Sequence, residues 1–175
     1  PHIPDPIYIL KRELMWIPLF GWYVGKMKMI PVHRGSRSVA LKSIIKGAQP
    51  AIAQKRQIMI YPEGTRRAPG DTPNYKFGIA HLYSELNLPV VPIAHVAGLY
   101  WPRRQFMRYP GMIKCRVLAP IPPGLGTEAF LIKLQRVTEA ACDELLVEAA
   151  TGPNPPHMPP TARKRLAELG INISG

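Results

Sequence analysis

Gln57-Ile58-Met59-Ile60-Tyr61-Pro62-Glu63-Gly64-Thr65-Arg66-Arg67 passes within a few residues from an apolar run into a polar turn. The first five residues, closed off by Pro62 and Gly64, predict a buried strand. The turn that follows is suited to an anion. Gly64 permits a tight turn and close approach of a ligand to backbone N–H groups. Thr65 adds a hydroxyl, and Arg66 a guanidinium whose fork matches phosphate oxygens. Glu63 fits such a site if it orients an arginine or a substrate hydroxyl. The plainer reading is a polar turn with a local Glu–Arg pair.

A second strand followed by basic residues lies upstream. Met29-Ile30-Pro31-Val32 predicts a short strand, and His33-Arg34-Gly35-Ser36-Arg37-Ser38 comes directly after it. Ser36 is placed to cap a helix whose apolar positions Leu41, Ile44, Ile45, Ala48 and Ile52 follow a 3.6-residue period. Pro50 is expected to kink or split that helix. Free N–H groups and the macrodipole draw anions to a helix N-terminus, and Arg34 and Arg37 reinforce the attraction. Basic segments after two neighbouring parallel strands point to one shared pocket; the alternative is a basic loop facing water.

Downstream, Gly78–Asn87 predicts a helix with Ile79, Leu82, Tyr83 and Leu86 on one face. Strands are expected at Pro89–Ala94 and Met112–Leu118. A long helix opens at Thr127 and runs to about Ala149, with Phe130, Leu131, Leu134, Val137, Ala141 and Leu145 facing inward. Strands alternating with helices imply an α/β fold, a mostly parallel central sheet flanked by helices. Ligands of such sheets gather beyond the carboxyl ends of the strands. Residues 1–150 form the predicted domain, and residues 151–175 a proline-rich linker and tail with a short helix over Thr161–Leu169. Between Lys11 and Val32, Pro18 and Gly21 interrupt an aromatic-rich stretch, so a short helix and a turn are expected. Its tryptophans stand beside lysines, a pairing that suits a membrane interface as well as a core.

The 175 residues are enough for one domain with a real core. Apolar types at 46% and charged types at 19% exclude a disordered or collagen-like chain. No run approaches the length of a membrane-spanning helix, and no signal peptide is recognisable at Pro1-His2-Ile3-Pro4-Asp5-Pro6. Cys115 and Cys142 form no metal-like pair and are read as reduced, buried thiols of a cytosolic setting. Residues 1–116 carry 18 basic and 5 acidic side chains, whereas residues 117–175 carry 5 and 6. A cationic excess confined to one part of the chain indicates an anionic partner there: phospholipid surface, phosphorylated substrate or nucleic acid. No nucleic-acid reader motif accompanies the charge.

Several of these stretches resemble one family. Tyr61-Pro62-Glu63-Gly64-Thr65-Arg66 resembles the Phe-Pro-Glu-Gly-Thr-Arg block of the glycerolipid acyltransferases, the 1-acylglycerol-3-phosphate acyltransferase group. Ile30-Pro31-Val32-His33-Arg34 with Arg37 is similar to that family's preceding strand and Asp-Arg block. Val91-Pro92-Ile93 is similar to a later Val-Pro-Ile/Val element. Ile9–Leu14 and Ile17–Trp22 resemble the stretch before the arginine block. The likeness runs over roughly residues 6–148.

The resemblance implies transfer of a fatty acyl group from acyl-CoA or acyl-carrier protein to the free hydroxyl of lysophosphatidate, forming phosphatidate. It implies no cofactor beyond the thioester co-substrate; with no third ligand near His81, Glu85 or His95, no metal is expected. The resemblance places the acceptor phosphate at Arg34, Arg37, Glu63, Gly64, Thr65 and Arg66. It also implies a peripheral or anchored protein on anionic lipid at the cytoplasmic face of the plasma membrane. The family's base is a histidine in a His-x4-Asp motif, with Asp holding the imidazole that takes the hydroxyl proton. Here His2, His33, His81, His95 and His157 are followed five residues on by Ile7, Ser38, Leu86, Tyr100 and Ala162. The motif is therefore expected upstream of Pro1, and the alternative is a catalytically inactive, lipid- or anion-binding relative. His33 also stands where the family has Asp.

Overall fold

β-branched and aromatic residues set the strands of the first part of the chain. The computed structural model describes residues 5–32 and 37–172, which fall into two units, Pro1–Pro62 and Glu63–Gly175. In the first unit, Pro6–Lys11 (β1) is the central strand of a three-stranded sheet. It pairs in parallel with Ile30–Val32 (β2), Ile9 opposite Ile30, and with Gln57–Met59 (β3), Ile7 opposite Ile58. Parallel strands need crossovers, and helices supply them. After a 3₁₀ turn at Arg12–Trp16, Phe20–Lys26 (α1) leads into β2. Arg37–Ala53 (α2) then returns the chain to β3. Ile7, Val24, Ile30, Ala48 and Ala51 are buried in this unit. The small alanines let α2 lie close against β2 and β3.

The expected parallel α/β sheet flanked by helices is thus present, with corrections in its parts. β1 is a strand that the periodicity did not announce, and it occupies the centre. β3 stands at the end of the described sheet, shorter than expected and half-buried rather than buried. β2 and β3 are not adjacent, because β1 runs between them. α2 continues unsplit through Pro50 to Ala53. Pro50 falls in its last turn, where a missing N–H forfeits one intrahelical bond and little else follows to be disrupted. Gly21 lies inside α1 rather than breaking it; a Cβ there would run into the Met15 carbonyl.

In the second unit, Gly78–Leu86 (α3) ends at Asn87 in the left-handed conformation, φ 48° and ψ 43°, a common helix stop. Ile93–His95 (β4) and Cys115–Val117 (β5) pair antiparallel. Both are shorter than the sequence suggested. Thr127–Thr151 (α4) buries Phe130, Leu134, Ala141 and Leu145, as its period requires, while Leu131 and Val137 are half-buried. The Phe130 ring stacks on Tyr83 of α3 at 3.8 Å between centroids. Pro160–Glu168 (α5) is the expected tail helix. Its Ala162 and Leu166 enter the same core as Leu145, Leu146 and Ala150 of α4. The cysteines depart from expectation: Cys115 is exposed on β5, and Cys142 is half-buried. Among the described residues, no helix is long and apolar enough to cross a membrane.

Candidate anion-binding site

The loop that opens the second unit is built around Arg67. Its Nε donates to Glu63 Oε1 at 2.7 Å, and its Nη1 donates to the Asp71 carbonyl. Its Nη2 donates to both carboxylate oxygens of Glu139 on α4, at 2.8 and 2.7 Å. The Tyr75 hydroxyl donates to Glu139 Oε1 at 3.1 Å. The side chains of Arg67, Glu63 and Glu139 are only 17%, 12% and 22% exposed. Burial opposes the Arg67 charge, yet the bonds and charges of Glu139 and Glu63 outweigh it and raise its pKa above the ordinary arginine value. Arg67 is thus a permanent cation with every nitrogen engaged by protein.

Neighbouring groups feel the same cluster. Burial, then the negative charge of Glu139, pushes the Tyr75 phenol above its usual range. Burial and Glu139 likewise push the Cys142 thiol up to about 11. At neutral pH Cys142 is a protonated thiol, unsuited to nucleophilic attack.

The next stretch of the loop is braced by α5. Thr161 Oγ1 donates to the Pro69 carbonyl at 2.8 Å. Gly70 has φ 77°, and a Cβ there would lie 2.6 Å from the Thr161 carbonyl oxygen. Glycine is needed at this point for both conformation and space. Gly64, at φ 64°, makes the earlier turn that sequence reading assigned to it.

Adjacent arginines therefore have opposite environments. Arg67 is turned inward and fully engaged. Arg66 is exposed, as is Thr65, and among the described residues no ion pair involves Arg66. The Glu63–Arg pair anticipated from sequence exists, but its arginine is Arg67. Glu139, Tyr75 and Arg67 were missed as partners of the turn. A carboxylate 72 residues away leaves no local signal, whereas the four-residue spacing of Glu63 and Arg67 was visible.

Of the other predicted residues, Arg34 lies outside the described residues, as do His33, Gly35 and the expected cap Ser36. Arg37 is the first residue of α2, and its side chain lies outside the description. β2 and β3 both deliver their carboxyl ends to one edge of the sheet. The register staggers them, Val32 opposite Lys11 and Met59 opposite Tyr8, so with β1 between them those ends are roughly 14 Å apart. His81 is exposed and meets Phe77 edge-on at 5.0 Å. The exposed His95 accepts the Ala97 N–H at Nδ1, 3.3 Å away.

The first unit also carries an exposed apolar stretch. Trp16, Leu19 and Trp22 are 78%, 84% and 66% exposed. Lys26 Nζ sits 4.0 Å above the Trp22 ring. These tryptophans are not core residues.

The Acyltransferase family profile matches residues 2–96, a span that includes Ile30–Arg37 and Tyr61–Arg66. The chain is 36% identical over 142 residues to the 1-acyl-sn-glycerol-3-phosphate acyltransferase of Pseudomonas aeruginosa, covering 80% of this chain and 54% of that protein. It is 30% identical over 118 residues to the 1-acyl-sn-glycerol-3-phosphate acyltransferase alpha of Homo sapiens, covering 65% and 41%. The crystal structure of the 1-acyl-sn-glycerophosphate (LPA) acyltransferase PlsC from Thermotoga maritima matches with a TM-score of 0.64 at 25% identity, covering 81% of this chain and 57% of that one. The chain spans about half the length of the curated relatives it matches.

Proposed function

Because the chain belongs to the Acyltransferase family, we propose that it carries the acceptor-binding part of a glycerolipid acyltransferase. The reaction moves a fatty acyl group from a thioester, acyl-CoA or acyl-carrier protein, to the free hydroxyl of lysophosphatidate. The acyl C–S bond breaks, an ester C–O bond forms, and the hydroxyl proton leaves through a base to the departing thiol. No redox change occurs, so the chemistry calls for no cofactor beyond the thioester. The names of the bacterial and human relatives support this acceptor.

The observation that carries the reading is the division of labour between Arg66 and Arg67. Arg67, held by Glu63, Glu139 and the Asp71 carbonyl, fixes the loop. The loop then leaves Arg66 and the Thr65 hydroxyl exposed beside the Gly64 turn. A phosphate bound there gains roughly 1.5–3 kcal/mol per charged hydrogen bond. Arg34 and Arg37 are proposed as further phosphate ligands on the family pattern. Glu63 acts in this scheme through Arg67, since a carboxylate in direct contact would repel the phosphate. Fixing the headgroup positions the hydroxyl for attack, an entropic contribution. The base is not assigned among the histidines of this chain.

The exposed Trp16, Leu19 and Trp22, in a stretch with Lys11, Arg12, Lys26 and Lys28, support peripheral attachment to anionic lipid; the family pattern is the ground for proposing the cytoplasmic face. The test is conversion of labelled lysophosphatidate by the complete gene product, with acyl-CoA and acyl-carrier thioesters tried separately. Phosphatidate should form with one of them. Binding of lysophosphatidate without product from either donor identifies a non-catalytic relative. The absence of both binding and product contradicts the proposal.

A further inference from the structure

The second unit carries an exposed apolar and cationic loop that acceptor binding does not use. Between β4 and β5 the chain makes an excursion whose base is closed by the Tyr109 N–H donating to the Tyr100 carbonyl at 2.9 Å. Phe106 is fully exposed, and Trp101, Met107 and Met112 are 55%, 60% and 74% exposed. Large apolar side chains crowded on one short segment cost hydration that an isolated surface residue does not. Arg103, Arg104 and Arg108 are interleaved with them. No acidic residue occurs between Glu85 and Glu128.

The loop is also internally satisfied. Arg108 Nη1 faces the carbonyls of Gln105, Phe106 and Met107 at 2.5, 3.0 and 2.9 Å. Its guanidinium lies 4.9 Å over the Trp101 ring. Carbonyls at the tip thus bring their own donor, which lowers the penalty for leaving water. A cation over a tryptophan beside exposed Phe and Met is the chemistry of an interfacial anchor, with rings at the headgroup level and guanidinium groups on lipid phosphates.

We infer that the Trp101–Lys114 loop seats its apolar tip in an anionic bilayer surface. A second copy of the chain is a poorer occupant, because a self-complementary contact would bring three arginines against three arginines. The loop belongs to a different unit from Trp16–Tyr23, so it forms a second lipid-contacting element of its own. The inference does not depend on acyl transfer.

The test uses the whole chain with vesicles of equal parts phosphatidylglycerol and phosphatidylcholine, without acceptor or thioester. Its three tryptophans are Trp16, Trp22 and Trp101. In a Trp16→Phe/Trp22→Phe background, Trp101 is the sole indole reporter. Brominated acyl chains should quench its emission. Phe106→Ser/Met107→Ser, at exposed positions inside the closed excursion, should lower vesicle partitioning about tenfold or more with an unchanged thermal midpoint. Unquenched Trp101 in vesicle-bound protein overturns the inference, as does partitioning unaffected by the double substitution. A dimer seen without vesicles and abolished by the same substitution assigns the surface to a second copy and also overturns it. Because the assay contains no substrate, none of these results bears on the acyl-transfer reading.

Discussion

Arg67 Nη2 holds both carboxylate oxygens of Glu139, at 2.8 and 2.7 Å, while Arg67 Nε holds Glu63 at 2.7 Å. One guanidinium therefore ties the start of the loop to a helix 72 residues further along the chain. It braces a surface loop in which the neighbouring Arg66 is exposed.

Arg67→Ala leaves the half-buried Glu63 and Glu139 carboxylates without their shared counterion. The expected cost is about 2–4 kcal/mol, toward the lower end of values for broken buried pairs because the cluster is partly solvated. Urea denaturation measures it. Arg67→Lys should recover only part of the loss, since an ammonium cannot span Glu63, Asp71 and Glu139 in one plane.

Gly70→Ala places a Cβ 2.6 Å from the Thr161 carbonyl at a φ of 77°. Strain and clash together should cost about 1–3 kcal/mol and separate the loop from α5. Leu166→Ala removes a fully buried side chain from the α4–α5 core and should cost about 2–5 kcal/mol. Hydrogen exchange should show faster exchange across residues 68–71 in both variants.

Raised pKa values set a limit at alkaline pH. The Cys142 thiol ionises near 9 when exposed and near 11 in the fold, and Tyr75 is shifted the same way. Above pH 9 the unfolded chain releases a proton that the folded chain keeps. Stability should then fall as pH rises, and Cys142→Ser should lessen the slope between pH 9 and 11. At pH 8, alkylation followed by mass spectrometry should modify the exposed Cys115 well before Cys142.

Periodicity sufficed where an element buries one face along its whole length. Phe130, Leu134, Ala141 and Leu145 announced α4, and Ile79, Leu82 and Tyr83 announced α3. It failed at β1, where Pro6–Lys11 offers one fully buried residue, Ile7, and no clean alternation. Pro50 was read as a breaker because its distance from the end of α2 cannot be told from composition. Cys115 was read as buried from its residue type, yet it lies on the exposed face of a short strand. At the site, the turn chemistry of Glu63–Arg66 was legible, because glycine and arginine in that order carry local meaning. The inward role of Arg67 depends on Glu139, and only the fold brings these two together.

The most direct measurement compares Arg66→Ala with the unsubstituted protein for two acceptors, lysophosphatidate and the same monoacylglycerol lacking phosphate. Arg66 is exposed, so the substitution should change stability by less than about 0.5 kcal/mol. If Arg66 holds the phosphate, affinity for lysophosphatidate falls about 10- to 100-fold and affinity for the uncharged acceptor stays the same. An unchanged preference for the phosphorylated acceptor in Arg66→Ala would contradict the assignment of this loop.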